Sequence, residues 1–253
     1  MRPLDKGLCP TENNVEIVVT DYTHWRNHLI QRIGYYCAYC NIPLSHSLNV
    51  EHVVPKNPHD GDPVGDVLTW ENMLLACGPC NNAKSNNPVD FSKLYFPEEN
   101  NTLLAFDVST HTDNPQASII VPKLGLTHGQ TEKADNTINL LGLTDVDNRP
   151  NIVDIRWKRR RGALIAAEAS LDLFNRIKQV APDDIETAGK YIAINAAEIG
   201  FFIVWFKVFA NEPIVIKHLT DTELIPGTAQ SCFDAEQDYN LINRNPENEI
   251  DPI

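Results

Sequence analysis

Cys37-Ala38-Tyr39-Cys40 and Cys77-Gly78-Pro79-Cys80 frame the stretch whose reading decides the fold. Between them run Val50-Glu51-His52-Val53-Val54-Pro55 and Trp70-Glu71-Asn72-Met73-Leu74-Leu75, and Asn81-Asn82-Ala83-Lys84 follows directly. Each Cys-x-x-Cys can form a knuckle presenting two thiolates to one ion, and two knuckles supply the four sulfurs of a closed tetrahedral zinc site. Thirty-six residues separate the pairs. That exceeds a zinc-ribbon spacing, so a small substructure must fit between them. The alternatives are four unrelated buried cysteines or a redox pair, but neither pair sits in a clear strand-to-helix context. Glu51 and His52 are adjacent, and on a strand they point to opposite faces. A bend there can bring a metal ligand and a base to one cleft.

Outward from this stretch the pattern changes. Upstream, Tyr22, Trp25, Leu29, Ile33 and Tyr36 recur at steps of three and four, one face of a helix. Thr20 or Asp21 caps its start, Gly34 lies near its end, and Val15 to Val19 reads as a short strand before it. Inside it, Leu48-Asn49-Val50 and Met73-Leu74-Leu75 are short β-like runs, and Pro55 to Gly65 is turn chemistry. Downstream, Thr102 to Val108 and Ala117 to Val121 read as a hairpin around a polar turn. Ala134, Ile138 and Leu141 mark a helix stopped by Gly142. Leu164, Ala167, Leu171, Phe174 and Ile177 mark a longer one starting near Pro150. Pro182 breaks it, and Ile185, Ala188, Ile192 and Ile199 mark another. The expected organisation is an N-terminal helix plus β-rich module over 1–97, a hairpin and helical body over 98–225, and an acidic tail over 226–253. From Asp221 onward there are eight acidic side chains against one Arg, so the tail reads as a docking arm or a disordered segment.

The 253 residues are 42% hydrophobic and 22% charged, which excludes a collagen, a coiled coil and a wholly disordered chain. Six cysteines are too few for a disulfide-dense secreted scaffold. The start lacks an apolar signal region, and the most apolar run, Ile199 to Phe206, is bracketed by Glu198 and Lys207 and is too short to span a bilayer. The expectation is a cytoplasmic chain with no membrane contact, in which Cys9 and Cys232 are ordinary thiols. A net charge of -13 argues against coating nucleic acid by bulk electrostatics. A local exception is Arg156-Trp157-Lys158-Arg159-Arg160-Arg161, five basic residues in six with a stacking surface. It reads as a phosphate-contacting patch, or as a solvated helix start or docking face.

The ordered set CAYC, EHVVPK and ENMLLACGPCNNAK resembles the HNH endonuclease family, in its subgroup braced by a four-Cys zinc. The resemblance covers residues 37–84. It implies an α+β fold: a ββα-metal core braced by two zinc knuckles (Cys37, Cys40, Cys77 and Cys80) on a mainly helical body. It also implies roles. His52 matches the general base and Asn72 the central Asn that orients it. Glu51 and Asn81 stand where the family holds a catalytic Mg or Mn, and Lys84 matches a basic residue facing phosphate. Two departures are visible: Glu51 stands where Asp is usual, and Asn81 where His or Asn occurs. A looser likeness, through Met1-Arg2-Pro3, residues 94–107 and residues 226–234, is to bacterial HNH nucleases of antiphage systems such as the Septu type, which act beside an ATPase.

The expected function is therefore metal-dependent hydrolysis of DNA, with Lys84, Lys158, Arg159, Arg160 and Arg161 on the nucleic acid. A phosphodiester repels hydroxide, so a base with pKa near 7 and a divalent ion bound by oxygen ligands answer the two chemical needs. The alternatives are a zinc-braced module that binds nucleic acid or protein without catalysis, and an HNH nuclease acting on RNA.

Overall fold

The computed structural model describes residues 1–253 except 47–48, 60 and 147–152. At its centre are β3 and β4, which follow a small hairpin of β1 (Thr11–Glu12) and β2 (Val15–Glu16). β3 (Asn49–His52) pairs antiparallel with β4 (Met73–Ala76), setting Glu51 opposite Leu74 and His52 opposite Met73. Cys77 then caps α2 (Gly78–Lys84), its Sγ accepting the Cys80 N–H, and the Pro at the first helical turn suits a helix start. The expected ββα core is thus in place. Of the β-like run at 48–50, Leu48 lies outside the described residues.

Upstream, Asp21 caps a 3-10 turn (Tyr22–Trp25) that leads into α1 (Arg26–Ile33). Its apolar face, Trp25, Leu29 and Ile33, is buried as its period requires. The Trp25 indole packs on Trp70, ring centres 5.3 Å apart, and donates to the Leu68 carbonyl at 2.7 Å. The strand read at Val15 to Val19 is shorter, Val15–Glu16 only.

Downstream come α3 (Thr102–Ala105), β5 (Phe106–Thr110) and β6 (Ser118–Pro122), the last two an antiparallel hairpin. The first half of the expected strand from Thr102 is instead a helical turn. Asn101 accepts the Leu103 N–H as a cap while its amide donates to the Cys232 and Ile242 carbonyls, so a tertiary contact overrides the β-like composition. α4 (His128–Leu141) carries a capping box between Thr127 and Gln130 and ends at Gly142. α5 (Arg156–Val180), α6 (Ile185–Ile199), α7 (Phe202–Val208) and α8 (Pro213–Leu219) form the helical body, α5 packing on α6 and α7, and α6 on α8. The expected start of α5, near Pro150, lies outside the described residues; the helix begins at Arg156.

The apolar run from Ile199 is not one helix. Gly200 has φ 78°, and a Cβ there would stand 2.5 Å from both the Asn41 carbonyl oxygen and Pro43 Cδ. Phe201 donates its N–H to that same carbonyl at 2.8 Å. The helical body touches the first cysteine knuckle through backbone, and only glycine permits the approach.

The acidic tail is folded down, not an arm. A final hairpin of β7 (Phe233–Asp234) and β8 (Asn240–Leu241) follows a bridge between Leu4 and Thr228. Arg244 donates to the Leu4 and Pro97 carbonyls, Asn100 to the Ile253 carbonyl, and Asp251 accepts from Tyr95 and Lys133. Polar latches hold this segment where apolar residues are few. The three segments of the looser likeness, at the start, at 94–107 and at 226–234, form one contiguous block: Leu4 N–H bonds the Pro97 carbonyl, and Thr102 bonds that of Met1. Buried side chains from Met1 to Ile253 join a single cluster, so the three expected regions share one core. Among the described residues no helix is long and apolar enough to cross a membrane.

Candidate active site and metal centre

The four cysteines converge. The Cys37 knuckle turns through an Asn41 N–H to Cys37 carbonyl bond of 2.9 Å and is pinned to β4 by Ala38 N–H to the Leu75 carbonyl at 2.8 Å. The second knuckle is the capped start of α2. All four Sγ atoms are buried and lie within 4.8 Å of one another, with Cys40 and Cys77 3.7 Å apart. Tetrahedral Zn–S bonds of about 2.3 Å demand sulfur separations of about 3.8 Å. The cluster fits zinc in donor type, number and spacing. Against the cost of burial, its neighbours hold the Cys40 thiol well below the usual range, while Cys77 and Cys80 are pushed well up. Among the described residues this is the one group of three or more Cys, His, Asp or Glu side chains so placed.

His52 closes β3. Its ring packs on Tyr22 at 4.6 Å between centres, and its Nε2 lies 3.1 Å from the Val67 carbonyl. A carbonyl only accepts, so the neutral imidazole carries its proton on Nε2 and leaves the Nδ1 lone pair available. Nδ1 has no hydrogen-bond partner among the described residues. Burial lowers the His52 pKa, assisted by Lys56 and Lys84 and opposed by the Val67 bond and Asp66.

Asn72 builds the loop that holds this arrangement. Its Oδ1 accepts the Val54 N–H at 2.7 Å, and its Nδ2 donates to the Val54 and Asp66 carbonyls at 3.0 and 2.7 Å. One amide thereby ties the residues just after His52 to the residue just before Val67. Gly65 sits in the same knot: a Cβ there would fall 1.9 Å from the Val54 carbonyl oxygen and 2.7 Å from Asn72 Nδ2.

Glu51 faces the other way, as strand alternation dictates. It is 3% exposed, accepts the Tyr39 hydroxyl at 2.6 Å, and has Lys84 Nζ 2.6 Å from Oε1. Burial raises its pKa and Lys84 opposes that rise. Lys84 itself is 1% exposed and donates to the His52 carbonyl at 2.8 Å. It is therefore not a phosphate-facing residue in this fold, because both its charge and its donors are consumed inside. Asn81 lies one turn earlier on α2, half-buried, on the same helix face as Lys84. Its side chain makes no hydrogen bond among the described residues.

The basic run divides by helical period. Lys158 and Arg159 are exposed and Arg161 half-buried, but Arg156 and Arg160 point inward. Arg160 donates to the Ser118 carbonyl at 2.7 Å and lies over the Phe201 ring, so it is removed from the expected patch. Sequence reasoning missed the roles of Tyr22, Tyr39 and Gly65, and read Arg156 only as part of the basic patch. The i, i+4 spacing of Arg156 and Arg160 was a usable signal for two inward-facing residues. Tyr39 and Gly65 carried none, because their roles depend on tertiary approach.

Three comparisons bear on this arrangement. The family model for the HNH endonuclease matches residues 37–87. Over 65 residues, 25% of this chain, the sequence is 35% identical to the CRISPR-associated endonuclease Cas9 of Corynebacterium diphtheriae, and that stretch spans 6% of the relative's length. No solved structure matches the chain.

Proposed function

We propose, from the match of residues 37–87 to the HNH endonuclease family model, that this chain is a metal-dependent endonuclease that hydrolyses DNA phosphodiester bonds. The observation that carries the reading is the Nε2 bond of His52 to Val67, which leaves Nδ1 unprotonated and unpartnered. In this reading Nδ1 takes a proton from water, the resulting hydroxide oxygen bonds to phosphorus, and the bond from phosphorus to the 3′ oxygen breaks. Asn72 acts on the loop, not on the substrate, by fixing both ends of the segment that orients His52. Tyr22 limits ring rotation by packing on one face of the imidazole.

A divalent cation such as Mg or Mn, when bound, neutralises phosphate charge and stabilises the departing oxygen. We assign its protein ligand to Asn81; Glu51, expected beside it, is turned away from His52 and held by Lys84 and Tyr39. Asn81 offers an oxygen donor suited to a hard ion, and its amide is uncommitted. Glu51 Oε1 is a buried acceptor with no hydrogen bond. Its neighbour is the Lys84 ammonium, 2.6 Å away, so in this fold a lysine charge stands where an ion would. The four-cysteine centre takes zinc and is structural in this reading, since a closed four-sulfur site has no open position for chemistry.

Lys158 and Arg159 are the exposed basic residues assigned to DNA. The cellular setting in this reading is the cytoplasm, where unpaired thiols stay reduced. The role is effector nuclease of an antiphage complex beside an ATPase subunit, resting on the looser segment likeness. The test is cleavage of supercoiled plasmid with Mg or Mn by the purified chain, with and without the proposed partner, beside His52→Ala. Metal-dependent nicking or linearisation that is lost in a folded, zinc-bearing His52→Ala supports the proposal. Full cleavage by that variant overturns it.

A further inference from the structure

Arg156 commits every donor it has inside the protein. Nη1 donates to Cys80 Sγ at 3.0 Å and to the Leu141 carbonyl at 2.9 Å. Nη2 donates to the Gly142 carbonyl at 2.8 Å and to Asp154, and Nε lies 3.0 Å from both Asp154 oxygens. One side chain therefore joins α2, the C-terminal end of α4 and the start of α5. One helical turn later Arg160, 1% exposed, bonds the Ser118 carbonyl, while its Nε and Nη2 have no hydrogen-bond partner among the described residues.

Two guanidiniums buried side by side are costly unless negative charge stands close by. Asp154 supplies one negative charge. Four neutral thiols would leave the pair short of compensation. Four thiolates on one Zn²⁺ carry two negative charges, so with Asp154 the two arginines face three negative charges in place of one. The sequence places the two inward arginines at i and i+4 within a run whose other basic residues face out or sit half-buried.

We propose that Arg156 and Arg160 are the counter-charges of the four-cysteine metal centre, with the Arg156–Cys80 hydrogen bond holding the centre and fastening the helical body to it. The proposal rests on the zinc reading of the cysteines. An N–H donated to a metal-bound thiolate draws electron density from sulfur and resists its protonation and exchange, as outer-layer partners do in other metal sites. Leu141 and Gly142 make the contact bidirectional: the carbonyls at the end of α4 orient the guanidinium that reaches Cys80. The expected basic DNA patch thus gives up two residues to the metal centre.

The test uses the full chain, and its readouts are independent of nuclease activity. Zinc transfer to a chromogenic chelator is timed for wild type, Arg156→Met and Arg160→Met, with folding checked by circular dichroism. The Co²⁺-substituted forms are read by absorption. Arg156→Met is expected to release metal about 10- to 100-fold faster and to move the sulfur-to-cobalt charge-transfer band to lower energy. Arg160→Met is expected to speed release with the band unmoved, because Arg160 donates to carbonyls and not to sulfur. A folded Arg156→Met chain with wild-type release and an unmoved band overturns the proposal while leaving the zinc reading intact. A folded wild-type chain that binds no metal overturns both. Where Arg156→Met does not fold, wild-type protein loaded with ¹¹³Cd decides: scalar coupling between the metal and an Arg156 Nη proton is expected, and its absence overturns the hydrogen bond.

Discussion

Glu51 and His52 are neighbours in sequence with opposite surroundings, and their variants should fail in different ways. Glu51→Ala leaves the Lys84 ammonium buried and unpaired, a loss of about 3–5 kcal/mol. Urea denaturation should show it as a clear fall in midpoint, and a midpoint equal to wild type would show that the pair contributes nothing. His52 should set the pH dependence. The base works deprotonated, and burial lowers its pKa below the ordinary 6.5. The rate should therefore rise with pH through a midpoint below 6.5 and stay flat above it. A midpoint above 6.5 in the initial-rate profile would contradict the burial argument. Gly65→Ala places a methyl against the Val54 carbonyl and must push the loop that carries Val67. Displacements of about 1 Å near a catalytic group cost about 10²-fold in rate. Steady-state cleavage by a folded Gly65→Ala protein checks this.

At the level of elements, the core was legible because its signals are local. Cys-x-x-Cys spacing and two short apolar runs point to β3 and β4, and the family resemblance supplies α2. β3 keeps its alternation, so the bend expected to bring Glu51 and His52 to one cleft does not form. What the sequence did not disclose is the partner each face meets. Lys84 read as a surface cation because nothing local says that a buried carboxylate waits across the strand. Thr102 to Ala105 read as strand because the capping role of Asn101 depends on carbonyls more than 130 residues away. Gly200 stands inside the apolar run Ile199 to Phe206 with no local mark of a break, and the approach of Asn41 and Pro43 makes it one. Gly200→Ala should consequently loosen the knuckle from the helical body. Hydrogen exchange at the Phe201 amide should speed markedly, and unchanged protection there would refute the contact.

For the whole molecule, acidity and folding of the tail alter the electrostatic reading. The tail carries its negative charges on a packed surface, held by Asn100, Asn101, Arg244 and the Asp251 cluster, so it is a fixed field and not a tether. With a net charge of -13, DNA affinity of the lone chain should be weak at physiological salt and concentrated in few basic residues. Lys158→Glu with Arg159→Glu should reduce affinity and flatten its salt dependence, each lost phosphate contact removing about 0.9 from the slope of log affinity against log salt. Fluorescence anisotropy across a salt series measures both, and an unchanged slope would remove these residues from the DNA interface.

The central claim is that His52 activates water while Asn81 holds metal. Initial cleavage rate against Mn²⁺ concentration, for His52→Ala and Asn81→Ala side by side, tests it most directly. General-base loss typically costs about 10²–10⁴-fold, and excess metal cannot replace a proton acceptor. The expected result is a low rate for His52→Ala that stays flat as Mn²⁺ rises, beside a partial recovery for Asn81→Ala. Equal rescue of the two variants, or wild-type rates in His52→Ala, would contradict the account.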